Sequence, residues 1–242
     1  MVSIRDRIII ALDYSAGEEA LACARKLQGT ASYVKVGMQL YYGAGPSIVA
    51  SLKDMGFKVF VDLKVHDIPN TAKGAMQSLA SLGVDMVNVH AAGGKEMMAA
   101  AREGLEKGAG NGPKPLLIAV TQLTSTTQQV MNEQIGIPGT IADSVQQYAR
   151  LAKEAGLDGV VASPLEVKLV KESCGTDFIT VTPGIRPVGA DTGDQKRITT
   201  PEMAFSIGSD YIVIGRPVTQ AQDPAAALSQ IIEMVRNENG TT

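Results

Sequence analysis

Eight short runs rich in β-branched residues, each followed by a stretch of helical periodicity, constrain this chain more than any other feature. The predicted strands cover residues 7–13, 33–37, 58–65, 86–90, 116–121, 159–162, 178–182 and 211–214. The last helix shows the pattern well, with Ala227, Leu228, Ile231, Ile232 and Val235 on one stripe, Asp223 at its cap and Pro224 in its first turn. Ser15 and Glu18 have capping-box spacing for the first helix. A weak repeat marks the junctions: Gly83-Val84-Asp85, Gly156-Leu157-Asp158 and Gly208-Ser209-Asp210 each close a helix and open a strand. Alternating units without a polar linker predict one α/β domain over residues 1–242. An open doubly wound sheet is the alternative; the placement of charges favours a closed (β/α)8 barrel, the TIM-barrel architecture.

Composition narrows the function classes. With 242 residues, 45% of them hydrophobic, the chain can bury a substantial core. A formal net charge of −3 gives no broad electrostatic footprint for nucleic acid, so a few local groups must hold any anionic ligand. No apolar run approaches the roughly 18 residues that span a bilayer. The apolar run Ile8, Ile9, Ile10, Ala11 and Leu12 has no cleavage pattern after it and is not read as a signal peptide. Cys23 and Cys174 form no CxxC and are read as buried thiols in a reducing cytoplasm. With His66 and His90 the only histidines, no multi-histidine metal site is expected, and both read as structural.

The charges fall in one pattern. Along a strand, residues two apart share a face. In KVFVDLKVHD, Val59, Val61, Leu63 and Val65 would meet the helices, while Phe60, Asp62 and Lys64 would point into the barrel. YVKVG sets Lys35 between Val34 and Val36, and IIIALD ends on Asp13. Neighbouring strands thus carry alternating charges near their C-terminal ends, where barrel enzymes place their active sites. A buried ion-pair network serving structure is the plainer reading. Apolar residues would serve stability as well, and burying charges is costly unless they are paired, so the group points to chemistry.

VDLKVHDIPNT, residues 61–71, carries an Asp-x-Lys-x-x-Asp pattern that closely resembles the orotidine 5′-monophosphate decarboxylases. IIALD, VKVGMQL, VNVHAAGG, VTQLTS, TPGIRP and IVIGRP follow in the family's order, so the resemblance spans nearly the whole chain. Magnesium-dependent 3-keto-gulonate-6-phosphate decarboxylases and hexulose-6-phosphate synthases share the pattern, but place a glutamate metal ligand where this chain has Lys35. An ammonium cannot ligate a cation and repels one, which decides against them. A catalytically silent nucleotide-binding barrel is the remaining alternative.

The resemblance implies loss of CO₂ from carbon 6 of an orotate ring without metal or coenzyme. No P-loop appears, nor a GxGxxG after the first strand. Lys64 would stabilise and protonate the carbanion, Asp62 and Asp67 would hold it as ammonium, and Lys35 would balance Asp62. It also implies a homodimer in which Asp67 and Thr71 enter the partner subunit's site. Gly215 and Arg216 after the eighth strand would bind phosphate. Residues 184–200 would form a lid gripping it through Arg186 and Gln195, with Lys196 and Arg197 left to solvent. Thr124 matches a pyrimidine contact and Asp13 a ribose contact. Pro183 and Val161 would wall the carboxylate pocket, with core packing alone the favoured reading for Val161.

Overall fold

The structure is a computed structural model and describes residues 3–187 and 199–239. Its parallel strands close in sequence order into a barrel, β1 next to β8. They are β1 (Ile8–Ala11), β2 (Tyr33–Gly37), β3 (Lys58–Val65), β4 (Met86–His90), β5 (Leu116–Val120), β6 (Gly159–Val161), β7 (Ile179–Thr182) and β8 (Tyr211–Ile214). Around them lie α1 (Ile4–Arg7), α2 (Gly17–Leu27), α3 (Met38–Ala44), α4 (Ser47–Asp54), α5 (Pro69–Ser81), α6 (Gly94–Ala109) and α7 (Ile141–Glu154). The ring continues with α8 (Val167–Cys174), α9 (Pro201–Ser206), α10 (Arg216–Thr219) and α11 (Pro224–Asn239). The expected (β/α)8 barrel is the observed fold, and the open sheet is excluded by the β1–β8 pairing.

Strand alternation divides the apolar residues into two layers. Ile8, Ile10, Val34, Val36, Val59 and Val61 face outward and join the helices in the larger core. Ile9, Tyr33, Phe60, Met86, Ile118 and Val181 face inward and fill the barrel. Strands covered on both faces therefore read as near-continuous hydrophobic runs. Near the N-terminal ends of β2 and β8, Tyr33 and Tyr211 meet edge to face with centroids 6.1 Å apart. The α11 stripe seats as expected, Leu228, Ile231, Ile232 and Val235 being buried, and Asp223 Oδ1 caps it by accepting from Ala226 N at 3.0 Å.

Two local expectations fail. The first barrel helix starts after Ala16, with no side-chain cap, so Ser15 and Glu18 form no capping box. Strand 7–13 is shorter than expected because Arg7 ends α1 and turns its guanidinium across the barrel floor, donating to Asp210 O at 2.8 Å and Ser209 O at 2.7 Å.

The repeated Gly-x-Asp triplets have a structural meaning that exceeds helix termination. Gly83, Gly156 and Gly208 take φ of 71°, 79° and 100°, the left-handed position expected there. The aspartate two residues on then joins the preceding strand to a preceding helix. Asp85 Oδ2 accepts from Val59 N at 2.7 Å and Lys53 Nζ at 2.6 Å. Asp158 Oδ2 accepts from Leu117 N at 2.7 Å and Arg102 Nη2 at 2.6 Å. Asp210 Oδ2 accepts from Thr180 N at 2.7 Å and Lys171 Nζ at 2.6 Å. Alternate junctions at the N-terminal rim are thereby latched the same way, and this is the barrel face given to stability. Asp158→Ala is expected to cost about 1–3 kcal/mol, because the buried Leu117 N–H loses its acceptor; urea denaturation measures it, and a loss near zero would show the latch to be dispensable.

Candidate active site

At the opposite rim the barrel opens into a cavity of about 590 Å³, within the range of small-molecule sites. Ala11, Phe60, Val120, Val181 and Val213 supply its apolar floor, and Val161, read from sequence as a pocket wall or as core packing, also lines it. The charged group stands on this floor. Lys35 Nζ lies 3.1 Å from Asp13 Oδ1 and 3.3 Å from Asp62 Oδ2. Lys64 Nζ lies 2.7 Å from Asp62 Oδ1. The charges therefore alternate along one chain of contacts: Asp13, Lys35, Asp62, Lys64.

The strands dictate that order. Register pairs Ala11 with Lys35 and Gly37 with Asp62, bringing the C-terminal ends of β1, β2 and β3 side by side. Gly37 matters for the space it leaves: a Cβ there would sit 3.0 Å from Lys35 Nζ and 3.3 Å from Asp13 Oδ1. β3 is not a regular strand at this point. Val61 pairs with Val87 and Val65 with Val89, so residues 62 to 64 stand opposite Asn88 alone. Such a bulge re-aims side chains near active sites. Lys64 has φ 51°, the one positive value among the described non-glycine residues. Asn88, 1% exposed, occupies the gap: its Oδ1 accepts from Lys64 N at 2.8 Å and its Nδ2 donates to Asp62 Oδ1 at 2.7 Å.

Burial and charge oppose each other here. Burial lowers the affinity of Lys35 for its proton, yet the Asp62 and Asp13 carboxylates outweigh this and hold it above the ordinary lysine range. Burial pushes the Asp62 carboxyl up, but Lys35, Lys64 and the Asn88 amide hold it below the ordinary carboxylate range. Both groups stay ionised in the resting site. His90 stacks on His66 with centroids 5.6 Å apart, and burial, His66 and Lys64 together lower its proton affinity.

Most of the residues singled out by sequence converge. Asp13, Lys35, Asp62, Lys64, Thr124, Pro183, Arg186, Gly215 and Arg216 all line the cavity. Arg186 is 8% exposed. Its backbone N donates to Thr199 O at 2.9 Å, and Thr199 N donates to Gly184 O at 3.2 Å. Those bonds join the two ends of the segment that contains Gln195, Lys196 and Arg197, which themselves lie outside the described residues. Asp67 and Thr71 are exposed and do not line this cavity. Asp67 Oδ1 accepts from Ile68 N at 2.7 Å and makes no ion pair with Lys64 of its own chain. Sequence reasoning missed Asn88, Gly37 and Gln122, the last a cavity residue bonded to Ser144 Oγ at 3.0 Å. A lone polar residue inside the apolar run MVNVH was the available signal for Asn88.

Comparison with known proteins identifies the family. The sequence pattern of the Orotidine 5'-phosphate decarboxylase / HUMPS family matches residues 6–231. The chain belongs to this family. It is 56% identical to the orotidine 5'-phosphate decarboxylase of Streptococcus thermophilus (strain CNRZ 1066) over 93% of this chain and 96% of that one. It is 53% identical to the Bacillus cereus (strain AH820) protein of the same name over 93% and 94%. The crystal structure of orotidine 5'-phosphate decarboxylase from Lactobacillus acidophilus superposes with a TM-score of 0.86 at 41% identity, covering 95% of this chain and 99% of that one. The crystal structure of an uncharacterized conserved protein from Geobacillus kaustophilus superposes with a TM-score of 0.85 at 47% identity, covering 94% of this chain and 99% of that one.

The charged site makes stability depend on pH at both extremes. Asp62 adds stability that is complete above the ordinary carboxylate value of about 3.9 and is lost as pH falls through its lowered folded value. Lys35 adds stability that is complete below about 10.4 and is lost as pH rises through its raised folded value. Between about pH 2 and 5, urea midpoints are expected to fall more steeply for the parent than for Asp62→Asn, which has no carboxylate to protonate. Parallel slopes would contradict the ion pairing.

Proposed function

We propose that this chain decarboxylates orotidine 5′-monophosphate to uridine 5′-monophosphate in pyrimidine biosynthesis, acting in the cytoplasm as a single barrel domain. The observation that carries this reading is the ion-paired run from Asp13 to Lys64 on the floor of the cavity. In the reaction, the bond from ring carbon 6 to the carboxylate breaks and the electron pair stays on carbon 6. Lys64 stabilises that charge as it develops and then donates a proton to the carbon, becoming a neutral amine that solvent reprotonates. The field that does this is preorganised, because Asp62 and Lys35 are already fixed before substrate arrives. Asp62 also opposes the substrate carboxylate: like charges about 4 Å apart repel by about 4 kcal/mol at an effective dielectric near 20, and departure of CO₂ relieves this.

Lys35 separates this reading from magnesium-dependent keto-sugar-phosphate chemistry. Asp13 and Asp62 are already neutralised by an ammonium lying between them, so a divalent cation would have to displace it. Gly215 and Arg216 hold the phosphate from the end of β8, joined by Arg186, Thr124 contacts the pyrimidine, Pro183 walls the carboxylate pocket and Asp13 holds the ribose. Purified protein is expected to bleach the orotate absorbance of the substrate equally with and without a chelator. Lys64→Ala is expected to abolish turnover while leaving the fold intact; a chelator-sensitive rate or an active Lys64→Ala protein would overturn the reading.

The active unit is a two-fold dimer in which Asp67 and Thr71 complete the partner's site. Support comes from their exposure beside Ile68, which is 67% exposed. A mixture of the inactive Lys64→Ala and Asp67→Ala proteins tests it. A mixed dimer has one intact site of its two, so random re-pairing is expected to restore about one quarter of parental activity. Restoration near zero would place Asp67 in its own chain's site, and an active Asp67→Ala protein would place it outside the reaction.

A further inference from the structure

The geometry points to Asn88 as a positioning residue that sets the catalytic lysine, an inference that rests on the decarboxylase reading above. In a regular β3–β4 ladder the peptide of residue 64 would pair with β4 backbone. Here three residues of β3 oppose one of β4, and the Asn88 carboxamide takes the place of the missing backbone partner. Its oxygen accepts the Lys64 N–H at 2.8 Å, and its nitrogen donates to the Asp62 oxygen that also receives Lys64 Nζ. The partners fix the orientation of the amide, since a peptide N–H requires an acceptor and a paired carboxylate requires a donor.

The side chain therefore has to supply one donor and one acceptor within a single planar group, at a site 1% exposed. Aspartate keeps the shape but sets a second carboxylate against Asp62. Serine keeps polarity but is too short to reach both partners. Asn88 touches neither solvent nor the cavity surface and acts only through its two neighbours. It holds the Lys64 backbone in its left-handed conformation and so directs the ammonium along one line into the cavity. A displacement of about 1 Å at such a centre is worth about 100-fold in rate.

Asn88→Asp and Asn88→Ser, assayed with orotidine 5′-monophosphate beside the parent, test this. Both are expected to lose about 100-fold in kcat with KM changed less than about threefold. Asn88→Asp is also expected to move the acid limb of the kcat profile to higher pH, because a like charge raises the proton affinity of Asp62. A purely structural role would lower the melting temperature without shifting that limb. Folded variants with parental kcat, or an unmoved acid limb in Asn88→Asp, overturn the proposal, and variants that cannot fold assign Asn88 to the fold and overturn it too. A parent protein without turnover overturns the functional reading itself, whereas an active parent with fully active variants overturns this inference alone.

Discussion

The Asp62 carboxylate is the point on which the site depends. Its side chain is 13% exposed, and an ionised carboxylate that far from water costs several kcal/mol unless it is compensated. Compensation comes from three directions at once: Lys35 on β2, Lys64 further along β3 and the Asn88 amide on β4. Two of these are themselves committed to a second partner. Lys35 reaches back to Asp13, and Asn88 holds the Lys64 backbone. Removing one member would leave a buried charge exposed to the low dielectric, so the group behaves as a unit.

The barrel carries aspartates at both rims, and their contrast separates structural from catalytic ion pairs. At the N-terminal rim Asp85, Asp158 and Asp210 each take one strand N–H and one cation borne by a helix. Their charges are cancelled locally, and they serve the joints between strand and helix. At the C-terminal rim Lys35, Asp62 and Lys64 come from β2 and β3 and Asp13 from the loop just after β1, and all stand over an open cavity. Their fields meet where a ligand would lie. The same residue type thus serves opposite ends of one fold, distinguished by what surrounds it.

Much of this was legible in the sequence, because period-two alternation and helical periodicity are direct consequences of backbone geometry. The facing of Phe60, Asp62 and Lys64 and the meeting of Lys35 with Asp13 both followed from strand order. The bulge at 62 to 64 did not, since alternation assumes a regular ladder and VDLKV has no glycine or proline to mark a break. Asn88 stayed hidden for the same reason, its partner being a backbone group that a regular strand would have satisfied. The Ser15–Glu18 spacing misled because a capping box needs the helix to begin at that residue, and the chain turns in one residue later. Asp67 and Thr71 illustrate another boundary: within one chain they face outward, so a role in the reaction requires a second subunit.

The positive φ of Lys64 shows how the fold spends stability on position. A left-handed backbone at a non-glycine residue costs on the order of 1–3 kcal/mol. Glycine would relieve the strain but would supply no ammonium, and a lysine on a straight strand would project parallel to Asp62, two residues away, with no bend toward it. The bulge turns the Lys64 side chain so that its Nζ closes to 2.7 Å on Asp62 while still facing the cavity. The ion pair and the two Asn88 hydrogen bonds offset the strain, each contributing about 1–3 kcal/mol as bonds involving charge or buried peptide. Strain and compensation are therefore comparable in size, which allows a bent strand to persist in an otherwise regular barrel.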